Sequence, residues 1–175
     1  MPDTVLAFAD HDHRRCRQAL LDELARTARA RGLRLTPVRV RVLEILSEAH
    51  RAMGAYEILD RLAAEGLGAQ PPVAYRALDF LIGAGFVHKV ERLNAYVACC
   101  YPEDGDGDAH GNGACFLICR QCRKVAEVAD GALEMAVAQA AAGRGFAIRR
   151  TVLEIEGLCP ACRAAPPGVA PEASP

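Results

Sequence analysis

Two Cys-x-x-Cys pairs, Cys119 with Cys122 and Cys159 with Cys162, are the residues of this 175-residue chain whose spacing points most directly to chemistry. Each pair can place two thiolates on one tight turn, and two such turns complete the tetrahedron that zinc accepts. The 36 residues between the pairs exceed the usual zinc-ribbon gap, so a strand-helix-strand excursion has to bring the chain back to its start. A closed four-thiolate site leaves no position for a substrate, which predicts a structural role. Binding of this kind supplies on the order of 10 kcal/mol of folding free energy. Two redox-active pairs are the other reading of the same residues, but neither pair sits at a thioredoxin-like strand-to-helix junction.

A second group is His88, Cys99, His110 and Glu127. One metal held by all four would tie the two halves of the chain together. Its ligand charge of minus two neutralises a divalent zinc, and fewer thiolates mean weaker, more exchangeable binding, as a sensor requires. The plain reading of the same residues makes His88 and Glu127 surface groups, Cys99 a small buried hydrophobe and His110 a loop residue. Cys100 and Cys115 are further thiols that can replace His110 or simply be buried. His11, His13 and Cys16 form a third group, for which a solvated polar N-terminus is the alternative.

These residues need elements to position them. Leu20, Leu21, Leu24, Ala25 and Ala28 recur at helical spacing between Arg14 and Arg31, and Gly32 is a natural stop. Thr36-Pro37 reads as an N-cap followed by proline at the first helical position, opening a second helix to about Ala49. A third runs from Ala55 to Gly66, and Pro71-Pro72 opens a fourth that Gly83 and Gly85 close. Phe86 to Glu91 and Ala95 to Cys100 are β-prone runs around Arg92-Leu93-Asn94, which reads as a hairpin. Helices followed by a hairpin make a winged helix, in which one helix enters the DNA major groove and the wing lies by the backbone. Beyond an Asp/Gly-rich connection, Ala114 to Ile118 and Val125 to Val128 read as strands, Gly131 to Ala142 as a helix and Phe146 to Ile155 as a strand. The expected fold is therefore α+β. A flexible N-terminus (1–13) precedes a winged-helix DNA-binding domain (14–101), with a hinge at about 98–113. A small α/β domain (114–163) carries the four-cysteine site, and a proline-rich disordered tail (164–175) follows.

Charge divides along the same boundary. The whole chain holds 21 Lys+Arg against 22 Asp+Glu, but Arg14 to Arg92 holds fourteen against nine and Tyr96 to Pro175 seven against ten. A basic first half suits a polyanion partner. Arg76 in the fourth helix and Tyr56 at the start of the third are candidate DNA-facing groups, an arginine there being able to fork onto guanine O6 and N7. Arg39, Arg41, Lys89 and Arg92 read as backbone contacts. Apolar runs fall far short of the ~20 residues a bilayer needs, and the start lacks the features of a signal peptide. A cytoplasmic protein is expected, in which eight cysteines are better employed on metal than as disulfides. No HxE or HExxH motif supports a zinc enzyme. A thiol redox switch built on Cys99, Cys100 and Cys115 is the competing class.

The motifs Arg34-Leu-Thr-Pro-Val-Arg39, Tyr75-Arg-Ala-Leu-Asp-Phe-Leu81, Gly85-Phe-Val-His-Lys-Val90 and the paired Cys-x-x-Cys closely resemble the ferric uptake regulator superfamily, and within it the zinc uptake regulator branch. The resemblance covers about residues 15 to 163. It implies a homodimeric, metal-dependent, non-enzymatic repressor of zinc uptake and homeostasis genes. The implied partners are double-stranded operator DNA and a second copy of the chain, with neither membrane nor small-molecule substrate. Two zinc ions per chain are implied. Cys119, Cys122, Cys159 and Cys162 match the structural site, and His88, Cys99 and Glu127 match the regulatory ligands. His110 matches less well because the preceding segment carries a small insertion, which leaves Cys115 as an alternative there. Tyr56 and Arg76 match DNA-contacting positions, and Tyr75 joins Arg76 in that set. Pro72-Val73-Ala74-Tyr75 departs from the commoner Pro-Thr-Val-Tyr and loses a hydroxyl. The His-His-Asp-His type of cluster typical of the iron-sensing branch is absent, and a cysteine ligand favours tetrahedral zinc. A family member sensing iron, manganese or nickel is the runner-up.

Overall fold

A computed structural model of the chain describes residues 8, 13–48, 50–68, 70–99, 114–128 and 130–164. His110, Cys100, His11, most of the connection between the two halves and the segment 165–175 lie outside these residues. Helices α1 (His13–Ala30), α2 (Pro37–Ser47), α3 (Ala55–Ala64) and α4 (Pro71–Gly83) come first. The hairpin β1 (Val87–Val90) and β2 (Ala95–Ala98) follows, joined by a 3-10 turn at Glu91–Leu93. Then come β3 (Ala114–Cys119), β4 (Val125–Val128), α5 (Gly131–Ala142), β5 (Val152–Gly157) and α6 (Pro160–Ala164).

Local chemistry accounts for the boundaries. Thr36 caps α2 by accepting from the Arg39 amide, and Pro37 occupies the first turn, where its missing N–H costs nothing. Gly85, at φ +85°, lets the chain leave α4 and enter β1 in a conformation that side chains with a Cβ resist. Asp130 caps α5 through the Ala132 and Leu133 amides. Asn94, at φ 44° and ψ 48°, turns the chain back from the 3-10 turn into β2.

Packing is in two layers on either side of the wing. Leu24, Val42, Ile45, Leu46, Ile58, Leu62, Leu78 and Leu81 fill the space between the four helices, and Val87, Tyr96 and Ala98 of the wing close it. The wing's opposite face, Val90, Ala95 and Val97, packs on Phe116, Ile118 and Val125 of a three-stranded sheet ordered β4-β3-β5. Every residue of β2 is buried as a result. Backbone pairing reinforces the junction: Ala52 donates to the Arg123 carbonyl and Val125 to the His50 carbonyl, while Met53 and Tyr96 exchange two bonds of 2.8 Å. In the sheet, β3 runs antiparallel to β4 and parallel to β5, and α5 makes the crossover.

Two expectations need correction. The last strand begins at Val152 rather than Phe146, because the ladder with β3 starts at the pair Ala114 and Val152. The Phe146 amide is spent closing α5, donating to the Ala141 carbonyl beyond Gly145 at φ +64°. The chain after Gly157 also forms α6, a five-residue helix that contains Cys162, so the second cysteine pair, contrary to expectation, does sit where a strand leads into a helix.

Candidate metal centres

Cys119 ends β3 and Cys122 follows in the turn to β4, while Cys159 lies between β5 and α6 and Cys162 within α6. Parallel pairing of β3 with β5 ends at Cys119 opposite Gly157, so the two pairs emerge side by side. The four sulfurs lie within 4.8 Å of one another, with Cys122 and Cys159 3.7 Å apart. Zinc–sulfur bonds of about 2.3 Å in a tetrahedron set edges of about 3.8 Å, so the arrangement fits zinc. Backbone amides support it: Cys159 donates to the Cys119 sulfur and Cys162 to the Cys159 sulfur, both at 3.4 Å. Burial pushes the Cys119 thiol up, but the Cys122, Cys159 and Gln121 amides outweigh that and hold it at about 6. Burial raises Cys122, and burial with the neighbouring sulfurs raises Cys162. Four adjacent thiolates repel one another, and a divalent ion is what relieves that repulsion.

The second group gathers from three elements. His88 is on β1, Cys99 directly follows β2, and Glu127 is on β4 of the other sheet. The Cys99 amide donates to the Phe86 carbonyl, which fixes its sulfur at the foot of the wing. His88 Nε2 is 3.1 Å from Glu127 Oε1, and Cys99 Sγ is 3.5 Å from Glu127 Oε2. The Glu127 side chain is only 8% exposed and that of His88 15%, too enclosed for a carboxylate to hold its charge without compensation. One nitrogen, one sulfur and one oxygen at these separations match three corners of a tetrahedral zinc site, whose N···O edge is about 3.4 Å. The Phe116 ring lies 5.2 Å from the His88 ring at 58° and limits its rotation. Among the described residues, these two are the groups able to hold a metal.

Cys115 does not reach this site. It pairs with Val128 one position along from the Phe116 and Glu127 pair, and alternation along β3 turns its thiol to the opposite face. There it lines a cavity of about 390 Å³ with Leu133, Met135, Val137 and Leu153. Burial raises its thiol, with Asp130 adding to the shift. The same geometry keeps Cys115 from pairing with Cys99 as a redox switch.

On the helical half, Tyr56, Tyr75 and Arg76 are exposed, as a groove-facing set must be. The other basic residues expected to meet DNA differ. Arg39 stacks over the Phe80 ring at 3.7 Å and donates to the Arg34 carbonyl. Arg41 is held by Glu44 and Glu65, at 2.9 and 2.7 Å, and lies 3.6 Å from Glu48. Arg92 turns toward Glu156 at 3.5 Å. Each of these three arginines has a partner within the protein, and Arg92 remains 66% exposed. Lys89 is half-buried and paired with Glu91 at 2.7 Å.

The model of the ferric uptake regulator family matches residues 30–156. The chain belongs to the ferric uptake regulator family. It is 41% identical over 145 residues to the zinc uptake regulation protein of Escherichia coli (strain K12), covering 83% of this chain and 82% of that protein. A solved zinc uptake regulator complexed with zinc and DNA superposes with a TM-score of 0.75 at 39% identity, covering 84% of this chain and 95% of the other. The crystal structure of holo XcZur superposes at 0.72 with 38% identity, covering 84% and 99%. Family membership accounts for both the four-helix winged half and the small sheet that follows it. No helix among the described residues is long and apolar enough to cross a membrane.

Proposed function

We propose that this family member is a zinc-responsive transcriptional repressor of zinc uptake and homeostasis genes, a cytoplasmic regulator rather than an enzyme. The observation that carries the reading is the convergence of His88 and Cys99 from the wing with Glu127 from the second sheet. Its regulatory relatives and the zinc and DNA of a solved neighbour support it. His88, Cys99 and Glu127, with His110 as the fourth, hold the regulatory ion. Cys119, Cys122, Cys159 and Cys162 hold the structural one, giving two per chain. A bound divalent ion supplies positive charge that compensates the Cys99 thiolate and Glu127 carboxylate. With that compensation, the wing and the second sheet can stay together at low cost, and the helices are fixed in one orientation. Residues 14–101 act as the reading domain and 114–163 as the dimerisation domain.

The second half has the surface for a partner copy. Helix α5 buries none of its residues, and Met135, Phe146, Ile155 and Leu158 are 61%, 69%, 48% and 53% exposed. A homodimer covers such a face and presents two winged helices to operator half-sites about 34–36 Å apart or a multiple of that. Tyr56, Tyr75 and Arg76 face the groove, with Lys89 beside the backbone. The test is operator binding by purified protein across buffered zinc, iron, manganese and nickel. Zinc alone is expected to switch binding on at low free-ion concentration, and an affinity independent of zinc overturns the proposal.

A further inference from the structure

The 3-10 turn at the wing tip has no side-chain cap of its own. Its first amides, those of Glu91 and Arg92, instead donate to the two carboxylate oxygens of Glu154, at 2.7 and 2.9 Å. Amides at the start of such a turn lack partners within it, and a carboxylate accepting both makes two charge-assisted bonds. Glu154 lies on β5, more than sixty residues along the chain and in the other half of the molecule. Leu93 of the same turn packs on the apolar junction, and Arg92 reaches Glu156.

Register ties this contact to the metal group. Phe116 of β3 is the partner of Glu127 in β4 and of Glu154 in β5, so the three side chains form one rung and share one face. One end of that rung meets His88 and Cys99 through Glu127. Its middle meets the His88 ring through Phe116, and its other end holds the turn that follows Val90. Strand β1 is thus gripped at both ends, by a carboxylate suited to a metal and by one that needs none.

Resting on the regulator reading above, we infer that Glu154 is a positioning residue, the metal-independent half of the latch between wing and second sheet, and that it sets the zinc concentration at which the switch closes. Any contact made only in the closed arrangement raises the affinity of every ligand that selects that arrangement. Removing the Glu154 contacts therefore weakens zinc binding at the His88, Cys99 and Glu127 group without touching a ligand.

The experiment uses the full chain and reads zinc twice: by competition with a chelating indicator without DNA, and by binding to a duplex selected in vitro with the wild-type protein. Glu154→Ala is expected to keep both zinc ions and the wild-type oligomeric state. Its midpoint for the second ion should rise about tenfold, with the zinc midpoint for DNA binding moving in step. Glu154→Gln, which keeps one acceptor oxygen, should fall between. Unchanged midpoints in Glu154→Ala overturn the inference. Should that variant fail to fold, Glu91→Pro is compared with Glu91→Ala. Val90 is extended at φ −93° and ψ 102°, so proline is accommodated at position 91, and it deletes the amide that Glu154 accepts while alanine keeps it. A shifted midpoint for proline alone supports the latch, and equal midpoints overturn it. A wild-type protein that ignores zinc on DNA would defeat the regulator reading, while the indicator arm still reads the effect of Glu154 on the metal group.

Discussion

The two candidate metal centres differ in what their ligands belong to. All four cysteines come from the second half of the chain alone, with backbone amides aimed at the sulfurs. The second group draws two ligands from the wing and one from β4, and its members already touch through a carboxylate. An ion within one folding unit stabilises that unit whatever the rest of the chain does. An ion held across two units reports their arrangement, because binding and closure are then one equilibrium. Donor chemistry runs the same way: four thiolates hold zinc tightly, and a mixed nitrogen, sulfur and oxygen set holds it more exchangeably.

Substitutions at the two centres should separate along that line. Cys119→Ser or Cys159→Ser is expected to have the largest effect, removing a zinc worth on the order of 10 kcal/mol of folding free energy. Thermal melting and zinc content should show the second half unfolded. A variant that keeps one zinc and a wild-type melting curve would erase the distinction between the sites. His88→Ala should lower zinc from two ions to one per chain, leave the melting curve close to wild type, and abolish zinc-dependent DNA binding in an anisotropy titration. Arg76→Ala should leave both ions in place and cost about 1–3 kcal/mol of DNA affinity. Smallest of all, Cys115→Ala should change neither zinc stoichiometry nor the zinc midpoint, since its thiol faces the cavity beneath α5. Lost regulatory zinc in that variant would put the face of β3 in question.

Much of this was legible beforehand because it rests on local rules. Helical spacing, Thr36-Pro37 and the glycine stops located the helices to within a few residues, and paired Cys-x-x-Cys spacing singled out the cysteines. The group at the junction was legible only as residue types, since nothing local says that β4 lies against the foot of the wing. Charge was silent on side-chain partners for the same reason. Arg39, Arg41 and Arg92 read as phosphate contacts, and nothing local says that Phe80, Glu65 and Glu156 lie beside them. Cys115 looked equivalent to a ligand because the face of a strand position depends on a register that the sequence does not state. Glu154 left no signal at all, one glutamate in a strand being ordinary until its register with Phe116 and Glu127 is known. The early start assigned to β5 came from reading an apolar Phe146 as strand, when its amide closes a helix.

The central claim is that the junction of wing and second sheet is a zinc-operated joint. Zinc stoichiometry measured alongside DNA binding, as free zinc is buffered upward, tests it most directly. The account predicts that one ion per chain is retained throughout and that DNA binding rises in parallel with the second. DNA affinity that stays constant while the second ion binds would contradict it.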